Sequence, residues 1–151
     1  MPVLWLILLQ TAFAALANAA DGAPVKFVGG TVSALAEGAN CRITMTDDVF
    51  LTVRCRRTEY QVCYETVNLL EYGQTVNRRL ALALVISPLF LLSKSRRHFL
   101  TVGFTDAQMR QQALVFQLDK KAVRTVLVAL EARTGLKITY QDDEARKAGK
   151  G

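Results

Sequence analysis

The residues that could carry acid–base chemistry are two adjacent pairs of aspartates and a single histidine. Asp47-Asp48 and Asp142-Asp143 stand in turns, where neighbouring side chains diverge and do not converge on one substrate atom. His98 follows two arginines and has no evident carboxylate partner, which predicts a surface position. The chain also lacks the G-x-S-x-G, H-E-x-x-H, P-loop and G-x-G-x-x-G patterns. We therefore expect no enzymatic activity.

Metal chemistry has little support in the 151 residues. The three cysteines form no C-x-x-C spacing, and one histidine cannot complete a Cys/His zinc site. We expect no metal and no cofactor.

The cysteine spacing instead raises the question of a disulfide. A three-residue loop at 47–49 places Cys41 opposite Cys55 in adjacent strands. Export to an oxidising compartment would then allow a disulfide between them. A tight turn at 57–58 places Cys55 opposite Tyr60, so that Cys55 and Cys63 point to opposite faces and do not bond. The alternative is that all three are small buried hydrophobes.

A basic-flanked apolar segment is the most unusual feature of the chain. Residues 80–93 carry no charge, and five of the six net positive charges stand between residues 78 and 98. A helix of 14 residues is about 21 Å long, shorter than the roughly 30 Å hydrocarbon core of a bilayer. Pro88 would also break or kink it. The segment therefore reads as two short arms that enter and leave on the same side.

Two interpretations of this segment stay open. Either it dips into an anionic membrane with its cations at the headgroups, or it is a buried helix or an oligomer contact with a solvated basic collar. The binding residues expected for a lipid or an envelope protein are Arg78, Arg79, Leu82, Leu84, Ile86, Leu89, Phe90, Leu91, Lys94, Arg96 and Arg97.

The N-terminus has the character of an export signal. Residues 1–20 are uncharged, with an apolar core at 4–9 and the small-x-small pattern Ala17-Asn18-Ala19. We expect cleavage after residue 19 and a periplasmic or secreted protein, peripherally associated with a membrane. An uncleaved anchor is the alternative, because the stretch could just span a bilayer.

The net charge of +6 suits an acidic partner, which could be nucleic acid, anionic lipid or protein. Export argues against nucleic acid, and the cations flank aliphatic residues, not aromatic ones that would stack on bases. We expect no nucleic-acid binding. A homo-oligomer stays open.

The mature chain is predicted to be mainly β (β+α), an antiparallel curled sheet or barrel with one C-terminal amphipathic helix. Apolar and polar residues alternate along most of the chain before residue 118, and turns separate the strands. The strands are expected within 26–35, 41–45, 49–55, 60–70, 98–104 and 112–118, with a short one at 136–140. Asp119 can cap a helix whose apolar stripe is Val123, Val126, Leu127 and Leu130, and Gly135 can end it.

Several short motifs occur together along the chain: LLEYGQ at 69–74, NRR at 77–79, KSRRHFLTVGF at 94–104 and LEARTG at 130–135. With these motifs, the chain resembles small exported bacterial proteins whose pattern looks like a pleckstrin-homology or GRAM-like domain. The resemblance implies a seven-stranded barrel closed by a C-terminal helix over residues 24–141, with 78–97 as an insert. Residues 142–151 are expected to form a flexible charged tail.

The C-terminal third has a second resemblance. Residues 114–118 and 126–140 are similar to the strand–helix–strand of the secretin and TonB-receptor N-terminal domain, a periplasmic protein-interaction module. This resemblance implies an envelope protein as partner.

Overall fold

A computed structural model describes residues 22–76, 85–86 and 97–150. The predicted signal at 1–19 lies outside them. The first four strands are β1 (Ala23–Gly30), β2 (Asn40–Thr44), β3 (Phe50–Cys55) and β4 (Thr58–Cys63), which pair antiparallel in succession.

The second group of strands begins after a 3-10 turn at Tyr64–Thr66. Its members are β5 (Val67–Gly73), the two-residue β6 (Val85–Ile86), β7 (His98–Thr105) and β8 (Gln111–Leu118). Strand β7 lies between β5 and β8, and β8 pairs antiparallel with β1. The β1–β8 ladder therefore joins the two groups into one sheet.

The C-terminal elements are α1 (Lys120–Thr134), β9 (Thr139–Tyr140) and α2 (Asp143–Lys150). Asp119 accepts a hydrogen bond from the Lys121 amide at 3.0 Å, and Gly135 ends α1 with a left-handed backbone, φ +72°. Both helix boundaries follow the sequence prediction, because capping chemistry is local.

The sheet order is β4-β3-β2-β1-β8-β7-β5-β9, with β6 pairing with β1. All pairs are antiparallel except β5–β9, so the sheet is mixed. Within the described ranges no ladder joins β4 to β5 or β9, and the predicted barrel is therefore open. The sheet still curls, because the rings of Tyr60 on β4 and Phe104 on β7 lie 6.3 Å apart.

The main core fills the inside of this curl. The predicted stripe of α1, Val123, Val126, Leu127 and Leu130, is buried there. The helix packs on β1 and on the 3-10 turn. Large strand residues buried with it include Phe27, Ile43, Leu51, Leu70, Tyr72, Leu100, Leu114 and Phe116.

A second, smaller apolar cluster lies on the outer face of β1, β8 and β7. It consists of Val28, Phe99, Ala113 and Val115, which are all buried, and the partly buried Val76 packs against it. On β2 and β3 the same face is mostly polar: Asn40, Arg42 and Arg54 point outward, and so does Phe50, which is 37% exposed. The buried apolar part of the described outer face thus lies on β1, β7 and β8.

The cysteine register agrees with the prediction on one side and differs on the other. Cys41 lies opposite Cys55, and a disulfide joins them. The β3–β4 turn falls at 56–57 and not at the predicted 57–58. Cys55 therefore lies opposite Thr58, two residues before the predicted partner Tyr60. A shift of two residues keeps each side chain on its face. Cys63 is therefore on the outer face and unbonded.

Three other expectations need correction. The first strand ends at Gly30, because the chain turns back and the Gly38 amide donates to the Phe27 carbonyl. The strand expected over 60–70 is split by the 3-10 turn into β4 and β5. The flexible tail is wrong for Asp143–Lys150, which form α2: Asp142 accepts a hydrogen bond from the Ala145 amide, and Ala145 is buried against the core.

Candidate functional site

The two ends of the insert are joined at the sheet. Strand β5 ends at Gly73 and β7 begins at His98, and the Arg97 amide donates to the Gln74 carbonyl at 3.3 Å. The chain therefore leaves β5 and enters β7 at neighbouring positions of the sheet.

Most of the predicted binding residues lie outside the described residues. The exceptions are Arg97 and, for its backbone, Ile86 in β6. Outside are Arg78, Arg79, Leu82, Leu84, Leu89, Phe90, Leu91, Lys94 and Arg96.

The Gln74–Arg97 hydrogen bond nevertheless limits where the cations can be. Arg79 is five residues from Gln74, so its Cα lies within about 17 Å of it, because an extended chain advances roughly 3.4 Å per residue. Lys94 is three residues from Arg97, a reach of about 10 Å. In the sequence, five positive charges thus lie within five residues of the two hydrogen-bonded positions. We call them, with their backbone, the basic collar: Arg78, Arg79, Lys94, Arg96 and Arg97.

Arg97 shows how the fold holds the base of this collar. Its side chain is partly buried, and Nη1 donates to Oε1 of Gln117 at 3.1 Å. Gln117 lies opposite Phe99 on β8, on the outer face of the sheet. The Arg97 guanidinium therefore lies over the outer face, beside the second apolar cluster.

The middle of the apolar segment reaches the sheet as β6. Ile86 pairs with Gly29 and Val85 pairs with Gly30, antiparallel. Strand β8 already pairs with this part of β1 on one edge, so β6 must occupy the other edge, beyond the last residue that pairs with β2. The segment is therefore tethered to the sheet at its centre as well as at its ends.

His98 is not a free surface residue as predicted. It is partly buried, and its Nδ1 lies 2.6 Å from the Tyr72 hydroxyl, with the rings nearly parallel. Burial raises the pKa of Tyr72 to about 12, with a smaller contribution from Tyr140. The protonated hydroxyl therefore donates to Nδ1. Burial, with the nearby Lys120 cation, lowers the pKa of His98 and favours the neutral ring.

The aspartate pairs serve their own turns. The Asp47 carboxylate accepts hydrogen bonds from the amides of Val49 and Phe50, and these bonds lower the pKa of Asp47. Asp142 accepts from the first turn of α2, and Asp48 forms an ion pair with Arg133 of α1. These contacts give Asp47, Asp48 and Asp142 structural partners.

Sequence reasoning missed Gln74, Gln117 and Tyr72. Gln117 lies in the strand predicted over 112–118, whereas Tyr72 and Gln74 lie beyond the strand that was predicted to end at residue 70. The contacts of all three depend on the register between β5, β7 and β8. No local pattern specifies that register across a long insert.

Among the residues that the structure describes, no group of three or more His, Cys, Asp or Glu side chains could hold a metal ion. No helix in those ranges has the length and apolarity to cross a membrane. A scan of the chain against protein-family models found no match, and neither did a search of curated proteins.

Proposed function

We propose that this protein is a non-catalytic module of the cell envelope that binds an anionic membrane surface through the basic collar. The observation that carries the proposal is the backbone hydrogen bond between Gln74 and Arg97, because all five cations lie within five residues of these two positions in the sequence. Converging cations raise the local positive potential and attract phospholipid headgroups.

The fold supports a binding scaffold related to the pleckstrin-homology or GRAM-like type. Seven strands of five residues or more precede one long helix, which is the element order that the resemblance implies. The open seam, the added β9 and α2, and the long insert are departures from that pattern. The Cys41–Cys55 disulfide is compatible with export, since such bonds persist in oxidising compartments.

The secretin-like alternative receives less support from the geometry. Strand β9, which follows α1, pairs with β5 and not with β8, and α1 packs on β1. The C-terminal third is therefore part of the one sheet and not a self-contained strand–helix–strand unit.

The test is co-sedimentation of residues 20–151 with vesicles of neutral phosphatidylcholine alone or mixed with anionic phosphatidylglycerol, at two salt concentrations. We expect binding only to the anionic vesicles, and weaker binding at high salt, because the Debye length shortens. Equal binding to neutral vesicles, or none to either kind, would contradict the proposal and direct the search to an envelope protein.

A matched pair of variants locates the surface. Arg78→Gln/Arg79→Gln removes two collar cations, and Arg56→Gln/Arg57→Gln removes two from the β3–β4 turn. At about 1 kcal/mol per cation, the collar variant should bind roughly 30-fold more weakly, and the turn variant should bind like the parent. The reverse result would move the binding surface to the β3–β4 turn.

A further inference from the structure

The two C-terminal helices carry a group of exposed cations. Helix α1 contributes three of them and the last turn of α2 contributes two, and all five are exposed. No ion pair joins any of them to another residue that the structure describes. We call this set the helix basic face: Lys120, Lys121, Arg124, Lys147 and Lys150.

Packing brings the two halves of this face together. Gly149 lies so close to α1 that a Cβ on it would stand 3.3 Å from Cδ1 of Leu127. Lys150 follows Gly149 in the chain, and Arg124 lies three residues before Leu127, on the adjacent turn of α1. The cations at the end of α2 therefore adjoin those of α1.

Helix stability does not explain the two lysines at the start of α1. The first turn contains no acidic residue, and Lys120 and Lys121 stand there, near the positive end of the helix dipole, where a cation is unfavourable. Asp119 offsets only part of this effect by accepting a hydrogen bond from the Lys121 amide. Residues that depart from a local rule of stability are typical of functional surfaces.

The spread of these charges favours an extended ligand. Lys120 and Arg124 are about 6 Å apart along the axis of α1, and the lysines of α2 extend the face onto a second helix. One small anion cannot contact all five cations, whereas an anionic membrane offers headgroup phosphates at many spacings. Val128, 58% exposed and one turn beyond Arg124, adds an apolar side chain to the same strip. Cations beside an exposed apolar residue are typical of helices at a membrane interface.

The helix basic face adjoins the base of the basic collar. Burial, and then the Lys120 cation, lower the pKa of His98, so Lys120 stands close to the start of β7. Arg97, the described member of the collar, directly precedes His98, and its side chain donates to Gln117 near the end of β8. The two groups of cations therefore meet at the same end of the sheet.

We propose that the helix basic face is a second contact with anionic phospholipid, formed entirely by residues of α1 and α2. The inference rests on the proposed function because the ligand is the same membrane, but the residues that bind are different. A molecule docked by both groups would lie with the start of α1 and the end of α2 against the headgroups.

The test compares variants that each remove two cations and therefore share one net charge. In α1, in α2 and in the β3–β4 turn as the control, they are Lys120→Gln/Lys121→Gln, Lys147→Gln/Lys150→Gln and Arg56→Gln/Arg57→Gln. We expect both helix variants to bind phosphatidylglycerol vesicles roughly 30-fold more weakly than the parent, the loss that two cations predict, and the turn variant to bind like the parent. Equal losses in all three would show that net charge alone governs binding, and would overturn the inference.

The α1 variant also separates binding from folding. Its urea midpoint should equal or exceed that of the parent, because the two lysines oppose the helix dipole. Weaker binding by a protein of undiminished stability supports a surface role. A fall in the midpoint that parallels the loss of binding would indicate a structural role instead, and would overturn the inference.

The collar variant, Arg78→Gln/Arg79→Gln, distinguishes the two proposals. Unchanged binding by both helix variants, with weaker binding by the collar variant, would overturn this inference and leave the proposed function. Weaker binding by the helix variants, with unchanged binding by the collar variant, would support this inference and contradict the collar as the binding surface. A parent that does not sediment with anionic vesicles would overturn both.

A fluorescent probe reports which surface touches the membrane. Val128→Cys, on a Cys63→Ser background with the Cys41–Cys55 bond intact, places one labelled thiol on the helix basic face. Met109→Cys, in the exposed β7–β8 turn at the other end of the sheet, is the control. We expect the emission of a polarity-sensitive dye to shift to shorter wavelength on anionic vesicles at the first position only. A shift at the Met109 position only would overturn the inference.

Inorganic phosphate tests for a small-anion site. It should release the protein from the vesicles no better than chloride at equal ionic strength, because screening alone weakens the contact. Better release by phosphate would show a site for one small anion, and would overturn the inference.

Discussion

Gly30 and Gly73 both lack room for a Cβ, but different kinds of atom would clash with a Cβ at the two positions. At Gly30 a Cβ would meet the backbone carbonyl of Ala113 in the β1–β8 ladder. At Gly73 it would meet the end of the Gln141 side chain, which donates to Glu71. A side chain can move at the expense of one hydrogen bond, whereas a ladder carbonyl cannot.

We therefore predict that Gly30→Ala costs about 3 kcal/mol of unfolding free energy, from overpacking against backbone. Gly73→Ala should cost about 1 kcal/mol, the value of the hydrogen bond lost when Gln141 moves. Urea denaturation of both variants, with unchanged m-values, measures the difference. Equal losses would mean that the β1–β8 ladder yields as easily as a side chain.

His98 should make stability depend on pH. Its folded-state pKa is lowered from 6.5, so the folded state favours the neutral ring. This contribution is complete above about pH 6.5 and is lost as the pH falls through 6.5 toward the folded-state pKa. We predict that the unfolding free energy of the parent declines more steeply below about pH 6.5 than that of His98→Gln, measured by urea denaturation at each pH.

Asp47 and Asp106 titrate in a lower pH range than His98, so they provide an internal control for this measurement. The pKa values of Asp47 and Asp106 are also lowered, from 3.8, by backbone and side-chain hydrogen bonds that oppose desolvation at Asp106. Their contributions are present above about pH 3.8 and are lost only below it. Parallel slopes of parent and His98→Gln between about pH 6.5 and 5 would refute the role of the ring.

The β2–β3 hairpin depends on its disulfide at the scale of the element. The Cys41–Cys55 bond spans a sequence separation of 14. Closing a loop of this size should contribute about 3 kcal/mol, chiefly by restricting the unfolded chain. Cys41→Ala/Cys55→Ala should lower the urea midpoint accordingly, whereas Cys63→Ser should stay within about 0.5 kcal/mol of the parent. A parent whose midpoint is insensitive to reductant would contradict this prediction.

Local signals account for the elements that were predicted well. Helix α1 has a cap, an apolar stripe and a terminal glycine within 17 residues, and each acts on its immediate neighbours. Helix α2 replaces the flexible tail that its charge and its glycine predicted, although its alanine, glutamate, arginine and lysine residues all favour helix. It forms where Ala145 and Gly149 pack on the rest of the fold, a tertiary contact that the local pattern does not show.

The candidate site was predictable in composition but not in placement. Charge counting alone identified the collar and the uncharged run between its halves. The same counting left insertion and burial equally open, because an apolar segment suits a bilayer and a sheet face alike. The pairing of Val85 and Ile86 with β1 could not be predicted either, because it joins residues more than 50 positions apart.

At the scale of the whole molecule, no described strand pairing closes the sheet between β4 and β5. Side chains must therefore hold this gap in the barrel. Tyr60 and Phe104 meet across the curled sheet. We predict a coupling free energy of about 1 kcal/mol between Tyr60→Ala and Phe104→Ala in a double-mutant cycle, the usual value for an aromatic pair. Additive losses would indicate that the sheet is flatter in solution.

The β1–β8 ladder also dictates an order of assembly. The β2–β3, β3–β4 and β7–β8 hairpins close over short loops, but Phe27 must find Phe116, almost ninety residues later. Loop-closure entropy makes that contact slow and late. A growing chain therefore holds β1 with an unpaired edge until residue 118 has emerged. Strand β1 is synthesised first but is among the last strands to be fully paired. A chain whose synthesis stops before β8 therefore exposes a strand edge on which other chains can aggregate.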